Sequence, residues 1–287
     1  MQRRDLLTAP LLLAQGSSMS QGSTWEGPQV LDRSRMRMSF EEDFRQPVSR
    51  YDPATGHGRW KTNWDFGDQA TAASRTLNDE LEIYSDSAYN GVDPFIQHDD
   101  GVAITAALAA ADPRNADKPY TSGLLTTSRS FTQRYGYFEM RARLPQGAGL
   151  WPAFWLYVPL DPSMTVAEYP GEIDVMEMLG RQPDTIYCSA HWPASVARTA
   201  QRQRVIEVAV GSTADWRSYG ALWTEQHITW YVDGHKVAAM DNPGLHKPMM
   251  ILANLAVGGG WGGPPTPATR FPAQFVIRFI RAYQLLS

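Results

Sequence analysis

Between punctuating Gly and Pro residues the chain carries short segments in which apolar and polar side chains alternate with a period of two, as strands with one buried face do. Phe131 to Leu144, FTQRYGYFEMRARL, alternates around Tyr137, Glu139, Arg141 and Arg143. His227 to Val232, HITWYV, runs into Asp233-Gly234, a dipeptide suited to a tight hairpin turn, and resumes as HKVAAM. Phe275 to Leu285, FVIRFIRAYQL, predicts a last, β-branched strand. Val102 to Ala111 is Ala-rich and helical on propensity alone, yet its start, GVAIT, and its end at Asp112-Pro113 predict a strand leading into a loop. With no fixed-period repeat, the pattern predicts an all-β sandwich or barrel occupying residues 30–287 as one domain.

Residues 1–29 read differently. Arg3 and Arg4 precede an apolar run from Leu6 to Ala14, which is too short to span a bilayer and has the charge order of an export signal. The adjacent arginines followed by Leu6 and Leu7 suggest the twin-arginine form, and Gly22 to Gln29 reads as a polar leader. The expected location is therefore secreted or periplasmic.

Composition narrows the classes. The chain has 287 residues, 43% hydrophobic and 20% charged, enough apolar material for a sizeable core, which excludes disorder or a coiled coil as the main state. Its 26 Lys+Arg against 30 Asp+Glu give a net charge of −4 without a basic stripe, so no nucleic-acid partner is expected. A lone cysteine, Cys188, excludes an internal disulfide and offers no zinc-ligand spacing. No later apolar run is long enough for a membrane helix, and a monomer is expected.

The informative chemistry lies in GEIDVMEMLG, residues 171–180, where three acids interrupt an apolar strand. Period two puts Glu172 and Asp174 on one face and Glu177 on the other; one extra residue, a β-bulge, would return Glu177 to that face while Ile173 and Val175 point to the core. Three crowded carboxylates repel, so at least one should hold a proton. That is the arrangement of glycoside hydrolysis, with one carboxylate to attack and one carboxylic acid to protonate the leaving oxygen. The outer Cα atoms would lie roughly 13 Å apart, within reach of a carboxyl separation of about 5–5.5 Å. Two other readings of the acids stand beside it: a divalent-cation site and an exposed acidic edge strand. Upstream, in GLWPAFWLY (149–157), Trp151 and Trp155 share a face with Ala153, opposite Phe154 and Leu156. They suit either a core or a sugar platform.

These segments resemble glycoside hydrolase family 16, whose signature Glu-hydrophobic-Asp-x-x-Glu stands here as Glu172-Ile173-Asp174-Val175-Met176-Glu177. YTSGLLTT (120–127), YGYFEMRARLPQGAGLWPAFWL (135–156), ITWYVDG (228–234) and NLAVGGGWGG (254–263) are similar to family segments in the same order. GRWKTNWDFGD and LNDELEIYSD look most like the succinoglycan-depolymerase branch. The resemblance implies a concanavalin-like β-jelly-roll sandwich with a concave substrate cleft. It also implies a retaining endo-β-glycosidase that cleaves β-1,3 or β-1,3/1,4 linkages of a glucan or bacterial exopolysaccharide and needs no organic cofactor. By the same resemblance Glu172 is the nucleophile, Glu177 the general acid/base and Asp174 the group that tunes them. Trp151 and Trp155 flank the donor subsites, and Glu80 is a contact at their far end. Glu139 and Arg141 hold sugar hydroxyls or form a structural ion pair. His191 lies near the cleavage point or is satisfied in the core, and Asn254 and Trp261 sit in a rim loop. Two departures are visible. Tyr169 stands where many members have Trp, leaving less stacking area at the innermost subsite. Arg278 stands where several relatives have a calcium-binding aspartate, so no metal is expected there. A non-catalytic glycan-binding module and a transglycosylase are the alternative functions.

Overall fold

The computed structural model describes residues 29–64, 71–159, 171–193 and 201–286. The expected export signal lies outside the described residues. In chain order the strands begin with β1 (Met36–Glu42), β2 (Glu82–Tyr84), β3 (Phe95–His98), β4 (Gly101–Leu108), β5 (Tyr120–Ser122) and β6 (Leu124–Thr126). There follow β7 (Gly136–Arg143), β8 (Leu150–Tyr157), β9 (Glu172–Glu177), β10 (Thr185–Pro193) and β11 (Gln201–Ala209). The last are β12 (Arg217–Trp223), β13 (His227–Val232), β14 (His235–Asp241), β15 (Met250–Val257) and β16 (Ala273–Leu285), with a short helix α1 (Gly259–Gly262) before β16.

Among the described residues these strands form two sheets. The larger, of ten strands, has the order β14-β13-β12-β7-β16-β4-β5-β2, with β1 paired to β16 and β3 to β4. The smaller, of six strands, has the order β11-β10-β9-β8-β15-β6. Alternation decides which side chains enter the sandwich. Phe138, Met140 and Ala142 of β7 and Phe275 and Ile277 of β16 meet Phe154 and Leu156 of β8 and Ile251, Ala253 and Leu255 of β15 in one buried cluster. Burial of this apolar surface is the main stabilising contribution. The β13–β14 hairpin turns at Asp233-Gly234, both at positive φ (50° and 79°), the backbone a two-residue primed turn requires. The Ala-rich segment is β4, a strand as its punctuation predicts; its neighbours on both edges supply the tertiary context that outweighs helix propensity.

The expectation that Glu139 and Arg141 hold sugar hydroxyls requires correction. Both lie on β7 of the larger sheet, pointing away from the core and thus away from the smaller sheet's outer face. Glu139 is buried against Arg33, with which it forms a salt bridge, and accepts from the Tyr137 hydroxyl at 3.3 Å. The Arg33 guanidinium lies over the rings of Tyr137 and Tyr283 at 5.3 and 5.4 Å. Arg141 donates to Ser218 Oγ at 3.3 Å. Strand alternation exposes one face of each sheet but does not say which sheet carries the site, so these polar residues read equally well as ligands.

Candidate active site

The smaller sheet's outward face is built around an irregularity in β9. Against β8, Ala153 pairs with Glu177 and Phe154 with Met176, then the register shifts so that Trp155 pairs with Asp174, Leu156 with Ile173 and Tyr157 with Glu172. Against β10 the same shift separates Tyr187↔Glu177 from Ser189↔Asp174 and His191↔Glu172. Val175 is therefore an extra residue. Val175 and Met176 both enter the core, and Glu177 returns to the face that carries Glu172 and Asp174. The bulge leaves main-chain oxygens out of the ladder, and core side chains engage them: Trp230 Nε1 donates to Asp174 O at 2.9 Å, and Cys188 Sγ lies 3.8 Å from Val175 O.

The register lays the face out in rows. Asn254, Ala153, Glu177 and Tyr187 form one row, Leu252, Trp155, Asp174 and Ser189 the next, and Met250, Tyr157, Glu172 and His191 the third. Ala153 is small, and Trp151 leans across it so that its Nε1 donates to Glu177 Oε1 at 3.0 Å. His191 Nε2 lies 3.0 Å from Asp174 Oδ2 and 3.8 Å from Glu172 Oε1. The pairing with Glu172 across the β9–β10 ladder sets this histidine on the face that carries the acids.

Electrostatics separates the groups. Burial, then the Asp174 charge, raise the Glu172 carboxyl to about 8, with His191 opposing them. Burial and then Asp174 hold Glu177 well above the ordinary carboxylate range. For His191 burial disfavours the cation, but Glu172, Asp174 and Glu177 outweigh it and lift the imidazolium to about 10. Burial thus favours the neutral acid at Glu177, while Glu172, 21% exposed, lies 3.8 Å from the His191 imidazole. A carboxylic acid and an ionisable carboxylate on one face can donate a proton and attack an electrophile, respectively. A metal would find different ligands from the three acids considered above. Glu172, Asp174 and His191 each offer a donor atom within 4.8 Å of the others, whereas Glu177 is turned towards Trp151.

A second network flanks the acids. Trp155 Nε1 donates to Asn254 Oδ1 at 2.8 Å, Asn254 Nδ2 donates to the Tyr84 hydroxyl at 2.9 Å, and that hydroxyl donates to Glu80 Oε2 at 3.3 Å. Behind it the buried Glu82 accepts from the Val257 amide at 2.7 Å. Burial and then Glu82 push the Glu80 carboxyl well above its ordinary range, so this acid pair holds a proton. Trp64 packs on Trp155 and on Tyr84 at ring separations of 5.9 and 5.5 Å. Trp261, on α1, sets its ring edge-on to Trp151 at 5.1 Å and near Tyr187 at 4.9 Å. Gly259 brings that loop close, at φ 77°; a Cβ there would stand 3.3 Å from Glu80 Cγ and 3.7 Å from Trp151 Cζ3.

The sequence-predicted residues Glu172, Asp174, Glu177, Trp151, Trp155, Glu80, His191, Asn254 and Trp261 thus meet on or beside one face. Tyr169 lies outside the described residues. Tyr84, Trp64, Glu82 and Trp230 were not singled out from the sequence. Tyr84, two residues after Glu82 and four after Glu80, shares their strand parity, the one signal that could have found it.

The sequence model of Glycosyl hydrolases family 16 matches residues 53–275. Endo-1,3-1,4-beta-glycanase EglC of Rhizobium meliloti (strain 1021) is 38% identical over 262 residues, covering 89% of this chain and 53% of that protein. Endo-1,3-1,4-beta-glycanase ExsH of the same strain is 36% identical over 263 residues, with coverages of 89% and 53%. The chain thus spans about half the length of these curated relatives. Among solved structures, the endo-beta-1,3-glucanase from Pyrococcus furiosus superposes with a TM-score of 0.71 at 28% identity, covering 91% of this chain and 99% of that one.

Proposed function

The chain belongs to glycosyl hydrolases family 16, and from that premise we propose that it is an endo-β-glycosidase that cleaves internal β-1,3 or β-1,3/1,4 linkages with retention of configuration. The observation that carries this reading is the bulge at Val175, which brings Glu177 onto the face of Glu172 and Asp174. Glu172 attacks the anomeric carbon while Glu177, neutral at the start, gives its proton to the departing glycosidic oxygen. Glu177, now a carboxylate, then takes a proton from water, which releases the sugar from Glu172. Asp174 and His191 set the charge around Glu172, and Trp151 orients Glu177 through its indole N–H. Trp155 offers a ring for stacking beside the acids, held in orientation by Asn254 and Tyr84.

The substrate we propose is a glucan or glucose-containing exopolysaccharide. Its support is the acid row joined to an aromatic face, together with the beta-glycanase and glucanase names of the relatives. Export through a twin-arginine signal belongs to the same proposal. It rests on the first residues of the sequence, and among the described residues no helix is long and apolar enough to cross a membrane. The test is product analysis on laminarin, lichenan, succinoglycan, agarose and carrageenan, with the newly formed anomer read by NMR before mutarotation. Oligosaccharides released from laminarin or lichenan as β-anomers are expected. Initial α-anomers, or binding without cleavage across the whole panel, would defeat the proposal.

A further inference from the structure

We propose that Arg181 is a positioning residue for the glycan-binding face: its guanidinium clamps the loop that carries Trp261 and so holds that indole against the rings beside Glu177. The role in binding rests on the functional reading above, but the clamp itself does not. Around Trp261 the chain reads Gly258-Gly259-Gly260-Trp261-Gly262-Gly263, so the indole is the one side chain of the stretch. Ordering such a backbone costs more conformational entropy than any other, and Gly258, Gly259 and Gly263 sit at φ 81°, 77° and 71°. The helix α1 within it is a single turn, too short to satisfy its own last carbonyls. Arg181 supplies them. Its Nη1 donates to Trp261 O at 2.9 Å and to Gly262 O at 2.7 Å, charge-assisted bonds of the stronger kind.

The clamp has a rigid mount. Arg181 follows Gly180 in the turn that leaves β9; Gly180 N donates to Leu150 O at 2.7 Å, and Gly147 N donates to Gly180 O at 2.9 Å. A Cβ at Gly180 would stand 2.1 Å from Gly147 O, so only glycine can make this approach. On the other side Gln182 Oε1 accepts from the Tyr187 hydroxyl at 2.8 Å. The guanidinium therefore projects from backbone fixed to the start of β8. What it holds lies beside the acid. Tyr187 and Ala153 flank Glu177 in its row, Trp151 leans across Ala153 to reach Glu177 Oε1, and the Trp261 ring meets both Trp151 and Tyr187. A ring fixed there offers a pyranose a packing surface next to the proposed proton donor. Arg181 is exposed, so its loss opens no core cavity and acts through the loop.

The test compares Arg181→Ala, Arg181→Lys, Trp261→Ala and the Arg181→Ala/Trp261→Ala double variant with the wild-type full chain. Amide hydrogen exchange over residues 258–263 should quicken in Arg181→Ala while the core strands keep their protection. On laminarin and lichenan KM should rise about 3- to 10-fold, the equivalent of one hydrogen bond, with kcat changed far less. Arg181→Lys keeps a cationic donor without the planar fork and should recover part of that loss. In the double variant the loss of Arg181 should add almost nothing to Trp261→Ala, because it acts through that ring. Unchanged exchange in the loop overturns the clamp. Unchanged KM, a fall in kcat as large as the rise in KM, or additive effects in the double variant overturn its role in binding. A wild-type chain that cleaves no polysaccharide defeats the functional reading, and the exchange measurement still decides the clamp.

Discussion

The indole N–H of Trp230 donates across the core to the main-chain oxygen of Asp174 at 2.9 Å, so a tryptophan of the larger sheet braces the bulge of the smaller one. Replacing Trp230 with Phe removes that donor and leaves a carbonyl buried and unpaired. We expect a stability loss of about 2–4 kcal/mol from the missing hydrogen bond and the incompletely refilled volume. A shift of Glu177 by about 1 Å would lower kcat on the order of 100-fold, with KM little changed because the aromatic face is intact. Thermal unfolding and steady-state kinetics measure both. Wild-type kcat in a destabilised Trp230→Phe protein would make the indole a packing group only.

The two glutamates should separate chemically. Glu177→Gln removes the proposed proton donor, and a loss of about 10²–10⁴-fold in turnover is expected. For Glu172→Ala, azide fits the space of the lost carboxylate and attacks from that face, giving an α-glycosyl azide. For Glu177→Ala, azide intercepts the glycosyl-enzyme and gives the β-anomer. The same azide product from both variants would mean that the roles are misassigned.

With Glu172 raised to about 8, its ionised fraction falls as pH drops below that value, so the acidic limb of kcat/KM should lie above the ordinary glutamate range. His191→Asn removes the cation that favours ionised Glu172 and should move that limb further up, by on the order of one pH unit. Stability follows with its own sign. Both groups titrate higher in the fold than unfolded, so each contributes most below its unfolded pKa. That contribution is lost as pH rises through about 8 for Glu172 and about 10 for His191. The melting temperature of the ligand-free protein should therefore decline from pH 7 to pH 10. An acidic limb near pH 4.5 in both proteins would refute the assignment.

Tyr84 links Glu80 to Asn254 and, through it, to Trp155. Tyr84→Phe keeps the ring against Trp64 but breaks the chain. Loss of one hydrogen bond's orientation should raise KM about 2- to 10-fold while kcat stays near wild type. A matched fall in kcat would place the hydroxyl in the chemistry instead.

Legibility in the sequence followed the range of the interactions. The acids, the bulge and the pairing of Trp151 with Trp155 are local patterns, and period-two alternation with one inserted residue is enough to align them. Trp230 and Tyr84 escaped because their partners are 56 and 170 residues away, at Asp174 and Asn254, and no spacing rule encodes a hydrogen bond across a sandwich. Glu139 and Arg141 misled for the same reason: β7 has the alternation of a site strand, but only the topology assigns it to the other sheet.

That reassignment yields a prediction about stability alone. Glu139 is almost fully buried, and its cationic partner Arg33 reaches it from the segment before β1, packed over Tyr137 and Tyr283. Arg33→Ala would strand the carboxylate, and because Arg33 is itself 40% exposed the cost should be a discounted value of about 1–3 kcal/mol. Adding Glu139→Gln removes the stranded charge, so the double variant should recover part of the loss, as a double-mutant cycle in denaturant would show. Turnover per folded molecule should not change in either protein, since β7 lies in the sheet opposite the acids. A fall in kcat for folded Arg33→Ala would return Glu139 to the site.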